Sequence, residues 1–168
     1  MSPPVYPAKL EAVIFDLDGT LIDTADEFIA IVQRLRSVNA QPALDPAHIR
    51  KTVSNGAGAL VTLALGTPDT HPNYAAQRQD FLAMYADTLG RHSKPYPGLA
   101  ELVKELAKHG IQWGVATNKQ RRYAAPLMDM MTFEPAAASL VTPDDVLHSK
   151  PHPEPIILSC KNLGVRPC

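Results

Sequence analysis

Apolar and polar positions follow two different patterns along this chain of 168 residues. Residues 10–17 form a short β-prone apolar run that ends at the turn signal Asp18-Gly19. After residue 98 the pattern predicts a helix from Leu99 that stops at Gly110, a strand over 111–117, a helix over 123–131, a strand over 138–142 and a helix over 155–163. A strand followed by alternating helices and strands is typical of a parallel sheet with right-handed crossovers, so we expect an α/β fold.

The stretch between the first two strands is helical in pattern. The predicted helices cover 24–38, where Thr24 and Glu27 form a capping box, a segment from the N-cap Asp45-Pro46 to a break at Asn55-Gly56, then 59–65 and 73–90. No strand pattern appears between residues 22 and 95. We therefore expect an α/β core formed by residues 1–20 and 96–168, with residues 21–95 inserted as an α-helical cap.

The charge balance narrows the function classes. The 16 basic and 17 acidic residues give a formal net charge of −1, which argues against a nucleic-acid partner. Apolar runs are only a few residues long, far short of a membrane span, and the first residues lack the basic start and apolar segment of a secretory signal. Two cysteines are too few for a disulfide scaffold, so a cytoplasmic location is expected.

The sequence Asp16-Leu17-Asp18-Gly19-Thr20 directly follows the first predicted strand. Two carboxylates at the carboxyl end of a strand lie where open α/β sheets bind ligands. Because they repel each other, either a bound cation or a proton retained by one of them is expected. One carboxylate could then attack as a nucleophile while the other transfers a proton. Gly19 would allow a sharp turn and leave backbone amides available to an anion.

Two other interpretations of this motif exist. A solvated turn is the simplest. A calcium loop is a second, because acidic or hydroxyl side chains fall at its ligand positions: Asp16, Asp18, Thr20, Thr24 and Glu27. Leu21 occupies the position that such a loop reserves for glycine, and a strand precedes the motif instead of a helix. The calcium loop is therefore disfavoured.

Polar residues also follow the next two predicted strands. Thr117 and Asn118 end the second strand with a hydroxyl and an amide, and Lys150 lies between prolines after the third. Each residue alone is ordinary for a loop. Since the carboxyl ends of parallel strands meet at one edge of a sheet, these side chains and Asp16 should converge around one anion, with Lys150 as a fixed positive charge for phosphate.

With these motifs the sequence resembles the haloacid dehalogenase-like hydrolases. Asp16-Leu17-Asp18-Gly19-Thr20 is similar to that family's first motif, Thr117 to its second and Lys150 to its third. The helical insert is similar to the family's α-helical cap on a Rossmann-like core. Within the family, the sequence around these motifs resembles the phosphoglycolate phosphatase branch. The stretches 113–119 and 149–155 look like the corresponding segments of N-acetylmuramic acid 6-phosphate phosphatases of cell-wall recycling.

The resemblance implies Mg²⁺-dependent hydrolysis of a small phosphorylated metabolite in two steps. Asp16 would form an aspartyl-phosphate, and Asp18 would protonate the leaving alcohol and then activate water. Thr117, Asn118 and Lys150 would hold the phosphate oxygens. Mg²⁺ would bridge the Asp16 carboxylate, the Asp18 backbone carbonyl and the phosphate. Such transfer needs mainly positioning and electrostatic stabilisation.

One departure from the family pattern bears on activity. The family's fourth motif is a strand ending in acidic residues that complete the Mg²⁺ site, but Glu154 is the only acid after Lys150. The resemblance therefore implies a chain that stops before that motif, with Val13, Ile14 and Phe15 on a sheet edge. We expect such a chain to bind Mg²⁺ weakly and to turn over slowly or not at all. The alternative function is a catalytically incomplete fragment or a phosphate-binding relic.

Weaker signals have ordinary explanations beside functional ones. The turn at Asn55-Gly56 could face the substrate, as the resemblance suggests, or simply join two helices, and Arg50 could meet an acidic substrate group or be solvated. The run Lys119-Gln120-Arg121-Arg122 stands at a helix start, where positive charge is unfavourable. It could lie near the phosphate entrance, but a solvated face is the favoured interpretation. Trp113 is interpreted as packing.

The histidines and cysteines near the end of the chain could also suggest a zinc site. The candidate ligands are His148, His152, Cys160 and Cys168. Pro151 and Pro153 prevent a helical His-x₃-His pair, and the spacings match no standard zinc site, so this set is disfavoured. Cys160 is expected to be a small core residue.

Overall fold

The computed structural model describes residues 10–167, and it divides them into two compact units. One unit comprises residues 10–21 and 95–167, and the other comprises Ile22–Lys94. Residues 1–9, which the sequence assigned to the core, and Cys168, which was weighed as a zinc ligand, lie outside the described residues. None of the helices in the described part is long and apolar enough to cross a membrane.

Helices and strands alternate after residue 98, which confirms the predicted α/β class. Within the described residues, the strands are β1 (Ala12–Phe15), β2 (Ile22–Asp23), β3 (Lys94–Pro95), β4 (Gln112–Ala116) and β5 (Ser139–Val141). The helices are α1 (Ala25–Val38), α2 (Pro46–Val53), α3 (Gly56–Leu65), α4 (Tyr74–Thr88), α5 (Leu99–Lys108), α6 (Arg121–Met131) and α7 (Glu154–Asn162), with a 3₁₀ turn at Pro143–Asp145. The two-residue strands β2 and β3 correct the expectation of no strand between 22 and 95.

A parallel sheet of order β1-β4-β5 forms the centre of the first unit. Phe15 of β1 pairs with Val115 of β4, and Gly114 of β4 pairs with Ser139 of β5. The central strand β4 is buried from Trp113 to Ala116, which explains its continuous apolar run. Among the described residues, β1 forms an edge of this sheet, and all four of its residues are half-buried.

Trp113 is a packing residue, as the sequence indicated. Its side chain is almost fully buried, with the Phe15 ring 6.0 Å away and the Phe133 ring 5.4 Å away, both in edge-on contact. The indole N–H donates to the backbone carbonyl of Pro135 at 3.1 Å, so the buried polar atom is satisfied. This aromatic cluster fixes the strand that leads to Thr117.

The second unit is a helical bundle in which α1 packs against α2, α3 and α4. Phe28 of α1 stacks on Tyr85 of α4, with ring centroids 4.6 Å apart, and on Phe81 at 6.3 Å. Asp45 caps α2 as predicted, because its side chain accepts the N–H of Ala47 at 3.0 Å.

The predicted capping box at the start of α1 is wrong. Thr24 makes no side-chain cap hydrogen bond, and Asp23 accepts the N–H of Ala25 at 3.1 Å instead. Glu27 is fully buried, and its carboxylate accepts the backbone N–H groups of His92 and Ser93 at 3.2 and 3.3 Å. The box pattern was satisfied in sequence, but a distant backbone segment provides the partners of Glu27.

Acidic residues of the 3₁₀ turn offset the positive charge at the start of α6. The Arg121 N–H donates to Asp144 at 2.8 Å, and the Arg121 guanidinium contacts Asp145 at 2.6 Å. Asp145 also accepts the N–H and hydroxyl of Thr142, each at 2.8 Å. Burial acts to raise the pKa of Asp145, but the hydrogen bonds from Arg121 and Thr142 outweigh it, so this pKa lies below its ordinary value.

Replacing Asp145 by asparagine should destabilise the first unit. We expect Asp145→Asn to lower the free energy of unfolding at neutral pH by about 1–2 kcal/mol, because it removes charge-assisted bonds to Arg121 and Thr142. The pKa of Asp145 is lowered in the folded state, so its contribution is present above the ordinary carboxyl pKa and is lost as the pH falls through the folded value. Urea unfolding at neutral and acid pH measures this, with the exposed Asp129→Asn as the control. An equal effect of Asp145→Asn at both pH values would contradict the assignment.

Candidate active site

Polar side chains from three chain segments meet at the carboxyl ends of β1 and β4. Asp16 directly follows β1, and Thr117 directly follows β4. Since Phe15 pairs with Val115, the two strands end side by side. Lys150 belongs to the loop between β5 and α7. The sequence predicted that these residues converge, and the structure brings Asp16 and Lys150 into direct contact.

The Lys150 ammonium group lies 2.7 Å from the Asp16 carboxylate. The same ammonium donates to the backbone carbonyl of Ala116 at 2.8 Å, at the end of β4. The N–H of Leu17 donates to Asp16 Oδ1 at 2.8 Å. The Asp16 side chain remains 45% exposed. A carboxylate that is oriented by two donors and open to solvent can receive a ligand from the solvent side.

A second ion pair joins Asp18 to Lys119 at 2.8 Å. The Lys119 side chain is only 6% exposed, so the interpretation of this residue as part of a solvated face was wrong. Its own backbone N–H donates to the Thr117 hydroxyl at 3.1 Å, and this tight turn directs the chain back toward β1. The available signal was its position three residues beyond the end of the central parallel strand β4.

Thr117 and Asn118 organise the loops around the two ion pairs. Thr117 is buried, and its N–H donates to the carbonyl of Val141 at 3.0 Å, which continues the pairing of β4 with β5. The Asn118 side-chain amide donates to the carbonyl of Lys150 at 3.0 Å. Asn118 therefore holds the loop that carries Lys150, and direct contact between Asn118 and a phosphate stays a prediction.

Gly19 makes the turn that follows the two acids. It has φ of +76°, and Leu21 donates its N–H to the Leu17 carbonyl at 3.0 Å across the turn. A Cβ at Gly19 would find no atom within 4 Å, so the requirement is one of backbone conformation and not of space.

The charges of the two acids and two lysines cancel in pairs. Lys150 and Lys119 each contact one carboxylate, and the expected bound cation or retained proton stays a prediction. Oxygen atoms are the donors that Mg²⁺ prefers. Asp16 and Asp18 supply carboxylate oxygens and Asp18 a backbone carbonyl, so the kind of donor present fits this ion.

The residues proposed for substrate specificity lie in the second unit. Arg50 forms ion pairs with Asp23 at 3.0 Å and with Asp26 at 2.5 Å, so its guanidinium group is already engaged by two carboxylates. Asn55 and Gly56 join α2 to α3, and Gly56 has φ of +83°. This geometry agrees with the ordinary helix–helix turn, and a role in substrate contact stays a prediction for all three residues.

Comparisons with known proteins agree on one family. The family model described as haloacid dehalogenase-like hydrolase matches residues 13–168. The chain is 43% identical over 159 residues to the N-acetylmuramic acid 6-phosphate phosphatase of Pseudomonas aeruginosa, which covers 95% of this chain and 70% of that protein. It is 32% identical over 158 residues to the phosphoglycolate phosphatase of Xanthomonas campestris pv. campestris, covering 92% of this chain and 69% of that one.

The fold matches a solved structure as well. The crystal structure of a predicted phosphoglycolate phosphatase from Haemophilus somnus 129pt superposes with a TM-score of 0.78, covering 93% of this chain and 72% of that one, at 21% identity. At this identity the match speaks for the fold alone.

The backbone conformation of Gly19 can be tested by two substitutions. Gly19→Ala should lower the free energy of unfolding by about 1–2 kcal/mol, because a left-handed conformation strains an L-residue. Gly19→Asn should cost less, because asparagine tolerates this conformation better. Urea unfolding of both variants measures the difference. Equal losses in the two variants would show that the strain is not conformational.

Proposed function

The chain belongs to the haloacid dehalogenase-like hydrolases, and on that premise we propose that it hydrolyses a small phosphomonoester with Asp16 as the nucleophile and Asp18 as the proton carrier. Its relatives at 43% and 32% identity are named as phosphatases, which supports phosphoric monoester hydrolase activity. The observation that carries the assignment of residues is the 2.7 Å contact between the Lys150 ammonium and Asp16.

Asp16 performs the first step. The contacts from Leu17 and Lys150 both reach Oδ1, so we assign the attack on phosphorus to Oδ2. A bond forms between this oxygen and phosphorus, and the bond from phosphorus to the leaving alcohol breaks. Asp18 in its protonated form gives its proton to the leaving oxygen, which makes the departing group a neutral alcohol. The product is an aspartyl-phosphate.

Asp18 completes the second step as a base. It takes a proton from a water molecule, whose oxygen attacks the phosphorus of the aspartyl-phosphate. The bond from phosphorus to Asp16 then breaks and inorganic phosphate leaves. Both proton transfers use the same carboxyl group, so Asp18 returns to its starting state at the end of the cycle. Lys119, which contacts Asp18 at 2.8 Å, fixes the position from which it acts.

Lys150, Thr117 and the amides near Gly19 bind the transferred group. A phosphate brings negative charge next to Asp16, and the Lys150 ammonium offsets that charge during the attack. The Thr117 hydroxyl accepts one hydrogen bond from Lys119 and can donate its own proton to a phosphate oxygen. Asn118 contributes by holding the Lys150 loop in place through the Lys150 carbonyl.

Mg²⁺ is the proposed cofactor. Asp16 would hold it through its carboxylate, and Asp18 through its backbone carbonyl. When bound, this ion neutralises phosphate charge and orients the phosphate oxygens.

N-acetylmuramic acid 6-phosphate is the first substrate to test, because the relative with that name is the more similar of the two reported. Phosphoglycolate is the second, because the relative at 32% identity carries that name. Residues 21–95 are proposed as a cap that selects the non-phosphate part of the substrate. In that unit, Asn55 and Gly56 remain the better specificity candidates, since Arg50 is occupied by Asp23 and Asp26.

Substitution of the nucleophile should abolish turnover. In the presence of Mg²⁺, the wild-type chain should release phosphate from one or more members of a panel of sugar phosphates and phosphoglycolate. Asp16→Asn should release none above background, because an amide oxygen cannot form the covalent intermediate. The exposed Asp129→Asn is the control and should keep the wild-type rate. Activity that survives Asp16→Asn would remove Asp16 from its role. Wild type that binds phosphate without turning over any ester would favour the phosphate-binding alternative.

The role of Asp18 is tested by the leaving group. Asp18→Asn should lower kcat on an alkyl phosphate by about 10²- to 10⁴-fold, since it removes acid–base catalysis. With p-nitrophenyl phosphate, whose leaving group needs no proton, the first step should survive while hydrolysis of the aspartyl-phosphate stays slow. Rapid-mixing measurements should therefore show a burst of nitrophenolate close to one per chain. Equal loss of the first step with both substrates would contradict a proton-transfer role.

A further inference from the structure

Apart from the candidate active site, a second group of potential metal ligands comes together in the loop between β5 and α7 and at the first residue of α7. We propose that His148, His152 and Glu154 bind a divalent transition-metal ion of the zinc type. The potential ligand atoms of these three residues all lie within 4.8 Å of one another. This site does not depend on the proposed hydrolytic activity.

One oxygen of the Glu154 carboxylate lies close to a nitrogen of each imidazole ring. Its Oε2 is 3.0 Å from Nδ1 of His148 and 3.8 Å from Nδ1 of His152. The two ring centroids are 4.6 Å apart and tilted by 38°. Ligands about 2.0–2.1 Å from a tetrahedral Zn²⁺ are roughly 3.3 Å apart, so small side-chain rotations close the set around an ion.

Backbone hydrogen bonds hold the Glu154 carboxylate in place, while both imidazole rings are largely exposed to solvent. The backbone N–H groups of Leu147 and His148 each donate to Glu154 at 2.9 Å, which closes the loop onto the start of α7. The side chains of His148 and His152 are 64% and 49% exposed, so solvent surrounds much of each ring. An ion at Nδ1 of His152 would replace the long hydrogen bond, 3.2 Å, that this nitrogen accepts from the N–H of Glu154.

The donor set selects the class of metal. Two imidazole nitrogens and one carboxylate suit Zn²⁺, Co²⁺, Ni²⁺ or Cu²⁺, whereas Mg²⁺ prefers oxygen ligands and retains its water. Three protein ligands leave a coordination position for water, as in open zinc sites. The ion would therefore differ in kind from the one proposed at Asp16 and Asp18.

The proposed set differs from the one that the sequence disfavours. Pro151 and Pro153 do exclude a helical pair of histidines, but the structure brings His148 and His152 together in a turn before α7 begins. Cys160 is not part of the set, because it is buried within α7, as the sequence indicated for a core residue. Cys168 lies outside the described residues.

The bound ion would also act on the loop that carries Lys150. His148 and His152 flank Lys150 in the chain, and its ammonium is directed to Asp16 and the Ala116 carbonyl, so its charge is engaged away from the imidazoles. Cross-linking both flanks to Glu154 would restrict this loop. Zn²⁺ should therefore raise the melting temperature as well as bind, because an ion that binds the folded state stabilises it.

The test measures metal binding to the intact chain without any activity assay. Zn²⁺ is titrated by calorimetry in the presence of excess Mg²⁺, which occupies oxygen-donor sites, and the melting temperature is followed in parallel. We expect one saturable Zn²⁺ per chain, together with a rise in melting temperature. His148→Gln and His152→Gln should each weaken the Zn²⁺ affinity by at least about tenfold, since losing even an outer partner of a ligand costs about 10–100-fold. When Co²⁺ replaces Zn²⁺, the protein should show the visible absorption bands of Co²⁺ that is bound by about four ligands.

The chain offers a matched control in His109. This exposed histidine lies 3.3 Å from Glu105 and so forms a similar histidine–glutamate pair. His109 does not belong to the group of His148, His152 and Glu154. His109→Gln should keep both the wild-type affinity and the rise in melting temperature. Absence of saturable Zn²⁺ binding, or binding by the double variant His148→Gln/His152→Gln equal to that of wild type, would overturn the proposal. Binding lost only in His109→Gln would also overturn it.

Discussion

The parallel pairing of β1 with β4 is the constraint on which the site depends. It ends both strands at one edge, so that Asp16 and the Thr117 turn begin from neighbouring backbone positions. Two ion pairs then fix the loops to this edge, Asp16 with Lys150 and Asp18 with Lys119. Two carboxylates at the end of one strand repel each other without nearby positive charge, and the lysines supply it from the loops that follow β4 and β5.

Sequence reasoning was sufficient for the parts of the site that depend on chain order. Asp16 and Lys150 could be placed together because both follow strands of one parallel sheet, and that argument needs no side-chain detail. Lys119 was missed because its burial depends on which loop covers it, a tertiary property that local composition does not contain. The start of α6 was difficult for the same reason, since the acids that offset Arg121 come from a turn more than twenty residues later.

Local rules failed where a distant partner competed. Thr24 and Glu27 have the spacing of a capping box, yet Glu27 binds backbone N–H groups of His92 and Ser93. The prolines do exclude a helical histidine pair, as the sequence indicates, but they do not prevent the turn that brings His148 and His152 into ring contact. The α/β class survived these errors because it depends on the period of the apolar pattern over many residues, and no single hydrogen bond decides it.

Glu27 has a consequence for how the chain can change. Its buried carboxylate joins the first helix of the second unit to His92 and Ser93. These two residues directly precede Lys94, at which that unit ends. These hydrogen bonds hold the beginning and the end of the inserted segment next to each other, whatever residues lie between them. Helices between the fastened ends could then be lengthened, shortened or exchanged for another set at little entropic cost, without moving the strands that hold Asp16 and Thr117.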